Sequence, residues 1–274
     1  MSDNLLLSEV RTTVGNLSDA ERRRLLSVAF TCIDNTTLSG TDSPRSVEGF
    51  CRSAVSLSPV VDGRDLHVAS VCLYPVFVPL AKPIIAPSPL SLAAVAGGFP
   101  AGQLPLSLKV NEVSYLVGEG ADEVDFVINR GTLLDGGVSS VFDEVKAARK
   151  ACGDKVHLKV ILETGELPSS EAVYNASMQA LQAGADFIKT STGKSSVGAT
   201  PEAALAMLSA IRDFGANSEI CAGFKVSGGV STPDDALFYL ILTKKVLNIE
   251  KIDCHNFRIG TSRLTSALAQ LLTE

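Results

Sequence analysis

Three lysines and an aspartate lie in four consecutive short apolar runs of this chain. Asp125 is in EVDFVIN, Lys159 in HLKVILETG, Lys189 in DFIKTST and Lys225 in GFKVSGG. Burying an amine is costly unless the amine is paired or loses its proton. Three amines close together with few carboxylates repel one another, which lowers the pKa of at least one of them. A neutral amine attacks carbonyl carbon, so the pattern predicts Schiff-base chemistry.

The direction of these side chains follows from strand geometry. Successive strand residues point to opposite faces, so Lys189 shares one face with Phe187 and Ser191. In a barrel, a charged residue that faces inward near the carboxyl end of its strand reaches the site that barrels build there. A single lysine of this kind can equally be a salt-bridged core residue. Three on consecutive strands favour a site, although the residues alone do not choose among the three.

A repeated strand-and-helix pattern would position these residues. Eight apolar runs, each followed by a break and most of them by a helical pattern, cover residues 30–36, 67–75, 92–100, 123–129, 157–165, 186–192, 223–229 and 256–262. Alternating strands and helices form right-handed units around a parallel sheet. Eight units predict an α/β protein with a closed (β/α)8 TIM barrel. An open doubly wound sheet is the alternative, disfavoured because no Gly-rich dinucleotide turn follows the first run.

We expect one domain over residues 1–274, with an extra N-terminal helix that begins after a cap-like Ser18. The loops after the last three predicted strands are rich in small residues: STGK (191–194), SGGV (227–230) and GTS (260–262). Glycine lets backbone N–H groups approach a ligand, and loops after the last two strands of a barrel frequently bind phosphate. The candidate anion contacts are Thr192, Gly193, Gly228, Gly229, Gly260 and Ser262.

Charge and composition disfavour several classes of protein. The net charge is −6, with 24 basic and 30 acidic residues, whereas a nucleic-acid protein usually has a basic face. No apolar window reaches the length of a membrane span, and the start MSDNLLLSEV lacks the basic region of a signal peptide. Six scattered cysteines without a C-x-x-C pair indicate free thiols in a reducing compartment. We therefore expect a cytoplasmic protein that binds neither nucleic acid nor membrane.

The histidines do not have the spacing of a metal site. His67, His157 and His255 come at the beginnings of predicted strands and share no H-x-x-x-H pattern. We therefore expect neither a metal nor another cofactor. Cys72, near the end of the second run, is a candidate for lining the barrel mouth, although a small buried core residue is its more common role.

Five blocks of the sequence together resemble a known enzyme family. LKVILETGEL, GADFIKTSTGK, GADEVDFVIN, GFKVSGGV and FRIGTSRL are similar to conserved blocks of the deoxyribose-phosphate aldolases. IDNTTL (33–38), CLYPVFVPLA (72–81) and GGFPAG (97–102) match earlier blocks less closely. The resemblance implies a metal-independent Schiff-base aldolase. Such an enzyme reversibly cleaves 2-deoxy-D-ribose 5-phosphate to acetaldehyde and D-glyceraldehyde 3-phosphate.

The resemblance also implies a role for each candidate residue. Lys189 would be the Schiff-base lysine, and Lys225 the neighbour that lowers its pKa. Asp125 would relay protons, with Lys159 hydrogen-bonded in the same network. Asp34 and Thr36 would contact the sugar hydroxyls. The residues implied to hold the phosphate are Gly193, Gly228, Gly229 and Ser262.

The chain departs from the family pattern in three places. Val226-Ser227 stands where the family often has Pro-Ala, and Gly260-Thr261-Ser262-Arg263 where it often has Gly-Ala-Ser-Ser. Many bacterial relatives end in a tyrosine that enters the site, and here no tyrosine follows Tyr239. We expect slow turnover. The alternative is an aldolase-like barrel that acts mainly as a binding or scaffold protein. The expected partner is a small phosphorylated sugar, while a homodimer, a protein partner and the role of Arg263 stay open.

Overall fold

The computed structural model describes residues 3–216 and 222–273. The strands are β1 (Ile33–Thr36), β2 (Val60–Val61), β3 (Arg64–Asp65), β4 (Ser70–Leu73), β5 (Ser91–Ala96), β6 (Glu123–Val127), β7 (His157–Ile161), β8 (Phe187–Lys189), β9 (Gly223–Ser227) and β10 (Phe257–Thr261). The helices are α1 (Asp3–Gly15), α2 (Asp19–Thr31), α3 (Pro44–Ser56), α4 (Val78–Ile85), α5 (Leu106–Gly118), α6 (Arg130–Leu134), α7 (Val138–Cys152), α8 (Ser170–Gln182), α9 (Pro201–Gly215), α10 (Pro233–Leu247) and α11 (Leu264–Thr273).

Eight of these strands close into a parallel barrel. β1 pairs with β4, each strand from β4 to β9 pairs with the next, and β10 returns to β1. A helix follows every barrel strand, so the predicted (β/α)8 barrel is confirmed. Each of the eight predicted runs overlaps a barrel strand, and β5 begins one residue before its run, at Ser91. The short strands β2 and β3 form a separate antiparallel hairpin between α3 and β4.

Side chains alternate between an apolar layer and a polar interior. On β6, Val124 and Phe126 belong to the main hydrophobic core, whereas Asp125 between them points into the barrel. Apolar residues that face outward pack against the helices and are removed from water, which stabilises the fold. Asp125 therefore faces the inside of the barrel, as the alternation of strand residues predicts.

Two helices, and not one, precede β1. Ser18 begins α2 as predicted, with a capping box in which the backbone N–H of Glu21 donates to Ser18 Oγ. α2 packs against α10 and α11. The additional helix α1 buries Leu7, Val10 and Val14 and packs against α10 and α9. No helix in the described ranges is both long and apolar enough to cross a bilayer.

Candidate active site

Strand register brings the predicted catalytic residues together inside the barrel. Asp125 of β6 lies beside Lys159 of β7. Lys189, the last residue of β8, lies beside Lys225 of β9, and Lys225 lies beside Arg258 of β10. All five residues are at most 4% exposed. The prediction that the three lysines and the aspartate face inward is therefore confirmed.

Asp125 is the centre of the arrangement because it contacts all three amines. Lys189 Nζ and Lys225 Nζ both donate to Asp125 Oδ2 at 2.7 Å. The two nitrogens therefore lie no farther apart than twice that distance. Lys159 Nζ donates to the second oxygen, Oδ1, at 3.2 Å. Lys225 also donates to Asp34 Oδ2 at 2.5 Å, which joins strands at opposite ends of the sequence.

Arg258 closes these contacts into a ring of alternating charge. Its guanidinium donates to Asp34 Oδ1 at 2.6 Å and to Glu123 Oε1 at 2.7 Å. Glu123 in turn accepts from Lys159, which returns to Asp125. We call this set the ion ring; in order around it, its members are Asp125, Lys225, Asp34, Arg258, Glu123 and Lys159.

Lys189 lies outside the ion ring, and this difference separates it from the two ring lysines. Among the described carboxylates, Asp125 alone lies within ion-pair distance of Lys189, whereas Lys225 has two such partners and Lys159 three. Burial, together with the charge of Lys225, lowers the pKa of Lys189 despite the opposing effect of Asp125.

The pKa values of the two ring lysines are shifted in the opposite direction. Burial favours their neutral form, but the carboxylates beside them outweigh burial. The pKa of Lys225 is raised by Asp125 and Asp34, and that of Lys159 by Asp125, Glu123 and Asp34. Four buried cations, including Arg258, face three buried carboxylates. Loss of one proton would balance the net charge of the cluster. Lys189 is the lysine that holds its proton least strongly.

The carboxylates of the cluster remain ionised. Burial raises the pKa of Asp125 and of Asp34, but the surrounding cations outweigh burial and hold both pKa values well below their usual range. Asp125 is therefore an anion that can accept a proton at the amine. Cys72 behaves differently, since burial, assisted by Asp125, raises the pKa of its thiol to about 11.

A cavity of about 400 Å³ opens above Lys189. Seven of the predicted substrate-binding residues line it: Thr36, Thr192, Gly193, Gly228, Gly229, Gly260 and Ser262. Two others lie elsewhere. Asp34 is fully buried in the ion ring, and Cys72 is fully buried with its Sγ 3.8 Å from Asp125 Oδ2, beside Leu38 and Val95. Arg263 is exposed and lines the cavity.

The glycines give the cavity its backbone shape. Gly193, Gly228 and Gly229 have φ angles of 74°, 78° and 88°, which side chains with a Cβ rarely adopt. In the described chain, no protein acceptor meets the backbone N–H groups of these three residues. A Cβ on Gly260 would lie 3.2 Å from Lys225 Cε, so this glycine makes room for the lysine. The loop amides and the nearby start of α11 suit an anion.

Sequence reasoning missed several residues of the site. Arg258 shares a strand face with Gly260, and Glu123 shares one with Asp125, so the same alternation indicates both. Glu163 is buried with φ at 54°, and its carboxylate accepts from the backbone N–H and the hydroxyl of Thr192. No local signal in the sequence distinguishes Glu163 from an ordinary loop residue.

Comparison with known proteins places this barrel in a family. The model of the DeoC/LacD family aldolases matches residues 30–249. The chain belongs to this family. It is 44% identical over 247 residues to a deoxyribose-phosphate aldolase of Mus musculus, covering 87% of this chain and 77% of the mouse protein. A Homo sapiens protein of the same name is 43% identical, with the same coverage of each chain.

A solved structure agrees with the family assignment. The structure described as "QR15, an Aldolase" superposes with a TM-score of 0.71 at 29% identity, covering 89% of this chain and 96% of that chain. All three of these proteins are named as aldolases. The comparisons therefore favour an aldolase over the binding or scaffold protein that the sequence left as an alternative.

Proposed function

We propose that the protein is a Schiff-base aldolase that reversibly cleaves 2-deoxy-D-ribose 5-phosphate to acetaldehyde and D-glyceraldehyde 3-phosphate. One observation carries the proposal: Lys189 is the cavity-lining amine whose pKa is lowered, while the two ring lysines are held as cations. The substrate itself comes from the names of the mouse and human relatives.

In the proposed first step, neutral Lys189 attacks the open-chain aldehyde carbon of the sugar. A C–N bond forms, the carbonyl oxygen takes up a proton, and loss of water leaves a protonated imine. Lys225, which carries a proton and shares Asp125 Oδ2 with Lys189, is the proposed proton source. Its position supports this role because it lies within the same hydrogen-bonded group.

Cleavage of the carbon–carbon bond needs a base and an electron sink. The C3 hydroxyl loses its proton, the C2–C3 bond breaks, and its electron pair moves into the imine to give an enamine and glyceraldehyde 3-phosphate. Asp125 is the proposed proton acceptor because the surrounding cations keep it ionised. Protonation of the enamine at C2 and addition of water then release acetaldehyde and regenerate Lys189.

The glycine-rich edge of the cavity is the proposed phosphate site. Gly193, Gly228 and Gly229, whose backbone N–H groups have no acceptor among the described residues, line a cavity that also contains Ser262 and Arg263. The remaining proposals are coarser. We assign the whole chain to one domain, deoxyribonucleotide catabolism as its metabolic context, and the cytoplasm as its location. The location is supported by the free thiols of Cys32, Cys51, Cys72, Cys152 and Cys254.

Product analysis tests the proposed function. Incubation with 2-deoxyribose 5-phosphate should release equal amounts of acetaldehyde and glyceraldehyde 3-phosphate, and a chelator should not change the rate. Lys194→Met, which removes a cavity lysine outside the ion ring, serves as a comparison for Lys189→Met. Lys194→Met should still form imine, whereas Lys189→Met should not. Release of neither product by the unmodified protein would refute the proposal.

A further inference from the structure

Arg258 is a cation of the buried cluster that the proposed chemistry does not use. It is 4% exposed, and its guanidinium packs 5.6 Å from the ring centre of Phe187. Phe187 shares a face of β8 with Lys189 but comes two residues earlier, so Arg258 lies one layer deeper than the reactive amine. Arg258 does not line the cavity. It can therefore influence the reaction only through its neighbours.

We propose that Arg258 is a positioning residue that keeps Lys189 neutral by occupying carboxylates of the ion ring. Asp34 is shared between Arg258 and Lys225, and Glu123 between Arg258 and Lys159. With both carboxylates saturated, the cluster has no negative charge left to hold a proton on Lys189. Without Arg258, three lysines would balance three carboxylates, and the cluster would be neutral only with Lys189 protonated.

The other groups around Lys189 fit this assignment. Among the described residues, the charged or titratable side chains of the buried cluster are Asp34, Cys72, Glu123, Asp125, Lys159, Lys225 and Arg258, while Glu163, Lys194 and Arg263 lie nearer the mouth, where Glu163 accepts from Thr192. Of the buried cations in the cluster, Arg258 alone never titrates in the working range of a protein. Its charge is therefore fixed, whereas each lysine of the cluster can exchange its proton.

The test measures how imine formation depends on pH. Acetaldehyde and borohydride are the probe, and the ethyl group added to Lys189 is quantified by peptide mapping. Arg258→Met should raise the apparent pKa of Lys189 by about one pH unit, the effect of a unit charge about 10 Å away at an effective dielectric constant of about 20. Imine formation at neutral pH then falls about tenfold and recovers at alkaline pH. A variant with a merely damaged fold would not recover.

Three further variants test whether the pH profile follows the charges of Arg258 and Glu123. Arg258→Lys keeps the positive charge and should keep the profile, and Arg258→Met with Glu123→Gln removes one charge of each sign and should restore it. Glu123→Gln alone should shift the profile to lower pH, and this variant decides the matter if Arg258→Met does not fold. Arg52→Met, at an exposed ion pair with Glu48, is the matched control and should change nothing.

The proposal rests on the proposed imine chemistry, and the two can fail separately. If Lys189 of the unmodified protein is not labelled, the proposed function is wrong. If it is labelled but Arg258→Met leaves the pH profile unchanged, or Glu123→Gln fails to shift it towards lower pH, then the role of Arg258 is refuted and the aldolase remains.

Discussion

Two buried lysines of this protein, Lys109 and Lys189, differ in two instructive respects. Lys109 of α5 lies in the helical layer, where it donates to Glu144 at 3.0 Å and packs 5.4 Å from the ring centre of Phe126. Lys189 donates to Asp125 at 2.7 Å. Burial is the largest influence on both amines and lowers the pKa of each. A buried lysine with one carboxylate and a lowered pKa is therefore not by itself a site.

Access and a second cation make the difference. Lys189 lines the cavity and shares the oxygen of Asp125 with Lys225. Lys109 is fully buried away from the cavity, and the aromatic ring and the carbonyl of Val127 complete its surroundings. A reactive amine therefore needs an open path to substrate and a neighbouring cation that lowers its pKa.

The largest effect is expected from Lys189→Met. This change removes the nucleophile while nearly conserving volume, so turnover should fall at least about 10,000-fold. Asp125 and Lys225 still pair with each other, so the protein should remain folded. Steady-state cleavage of 2-deoxyribose 5-phosphate, with circular dichroism as the check on folding, measures the result. A variant that keeps a tenth of the activity would assign the chemistry to another amine.

Lys225→Leu should have the next largest effect. Removing the neighbouring cation leaves Asp125 with less positive charge around it, so the pKa of Lys189 rises by ~1–2 pH units. Below that pKa the fraction of neutral amine falls, and the rate at neutral pH falls about 10- to 100-fold. The pH–rate profile should move towards alkaline pH. Lys82→Leu, which breaks the partly exposed pair with Asp122, is the control and should leave the profile in place.

Gly229→Val tests the phosphate site. No atom lies within 4 Å of the position of its Cβ, so the new side chain occupies the open space that the phosphate needs. We expect a loss of about 10- to 100-fold for the phosphorylated sugar and much less for unphosphorylated deoxyribose, because only the phosphate uses the loop. Gly136→Val is closely matched, with φ at 89° against 88° and equally open space, but it lies between α6 and α7. Equal losses for both substrates would show backbone strain alone.

Lys109→Met should have the smallest effect on activity. Among the described residues, the change leaves the partly buried Glu144 with the backbone N–H of Asn129 as its one partner, so the free energy of unfolding should fall by about 3 kcal/mol. The kcat per folded molecule and the pH profile should not change, because this amine never meets substrate. Chemical denaturation and kinetics on the same preparation separate the two quantities. A shifted pH profile would show that the two lysines are electrostatically linked.

The sequence predicts much of this arrangement because strand alternation is local. It places Lys159, Lys189, Lys225 and Asp125 on inward faces, and all four are found there. It does not reveal which lysine has a lowered pKa, because that depends on which carboxylates each amine meets. Asp34 and Lys225 are 191 positions apart and meet only when the barrel closes.

The first two helices show the same difference between local and tertiary signals. Ser18 and its capping box predict α2 from a few adjacent residues. α1 is not among the helices predicted from the sequence, and it packs Leu7, Val10 and Val14 against distant helices. Tertiary packing therefore stabilises the helix that was missed, and it also sets which carboxylates each lysine meets.

Mass mapping of the trapped imine tests directly whether Lys189 is the reactive amine. The protein is incubated with acetaldehyde and borohydride at neutral pH, digested, and searched for ethylated lysine. We expect one ethyl group on the peptide that contains Lys189, and none above background on Lys109, Lys159 or Lys225. Labelling of Lys225 or Lys159 in place of Lys189, or equal labelling of Lys109, would contradict it.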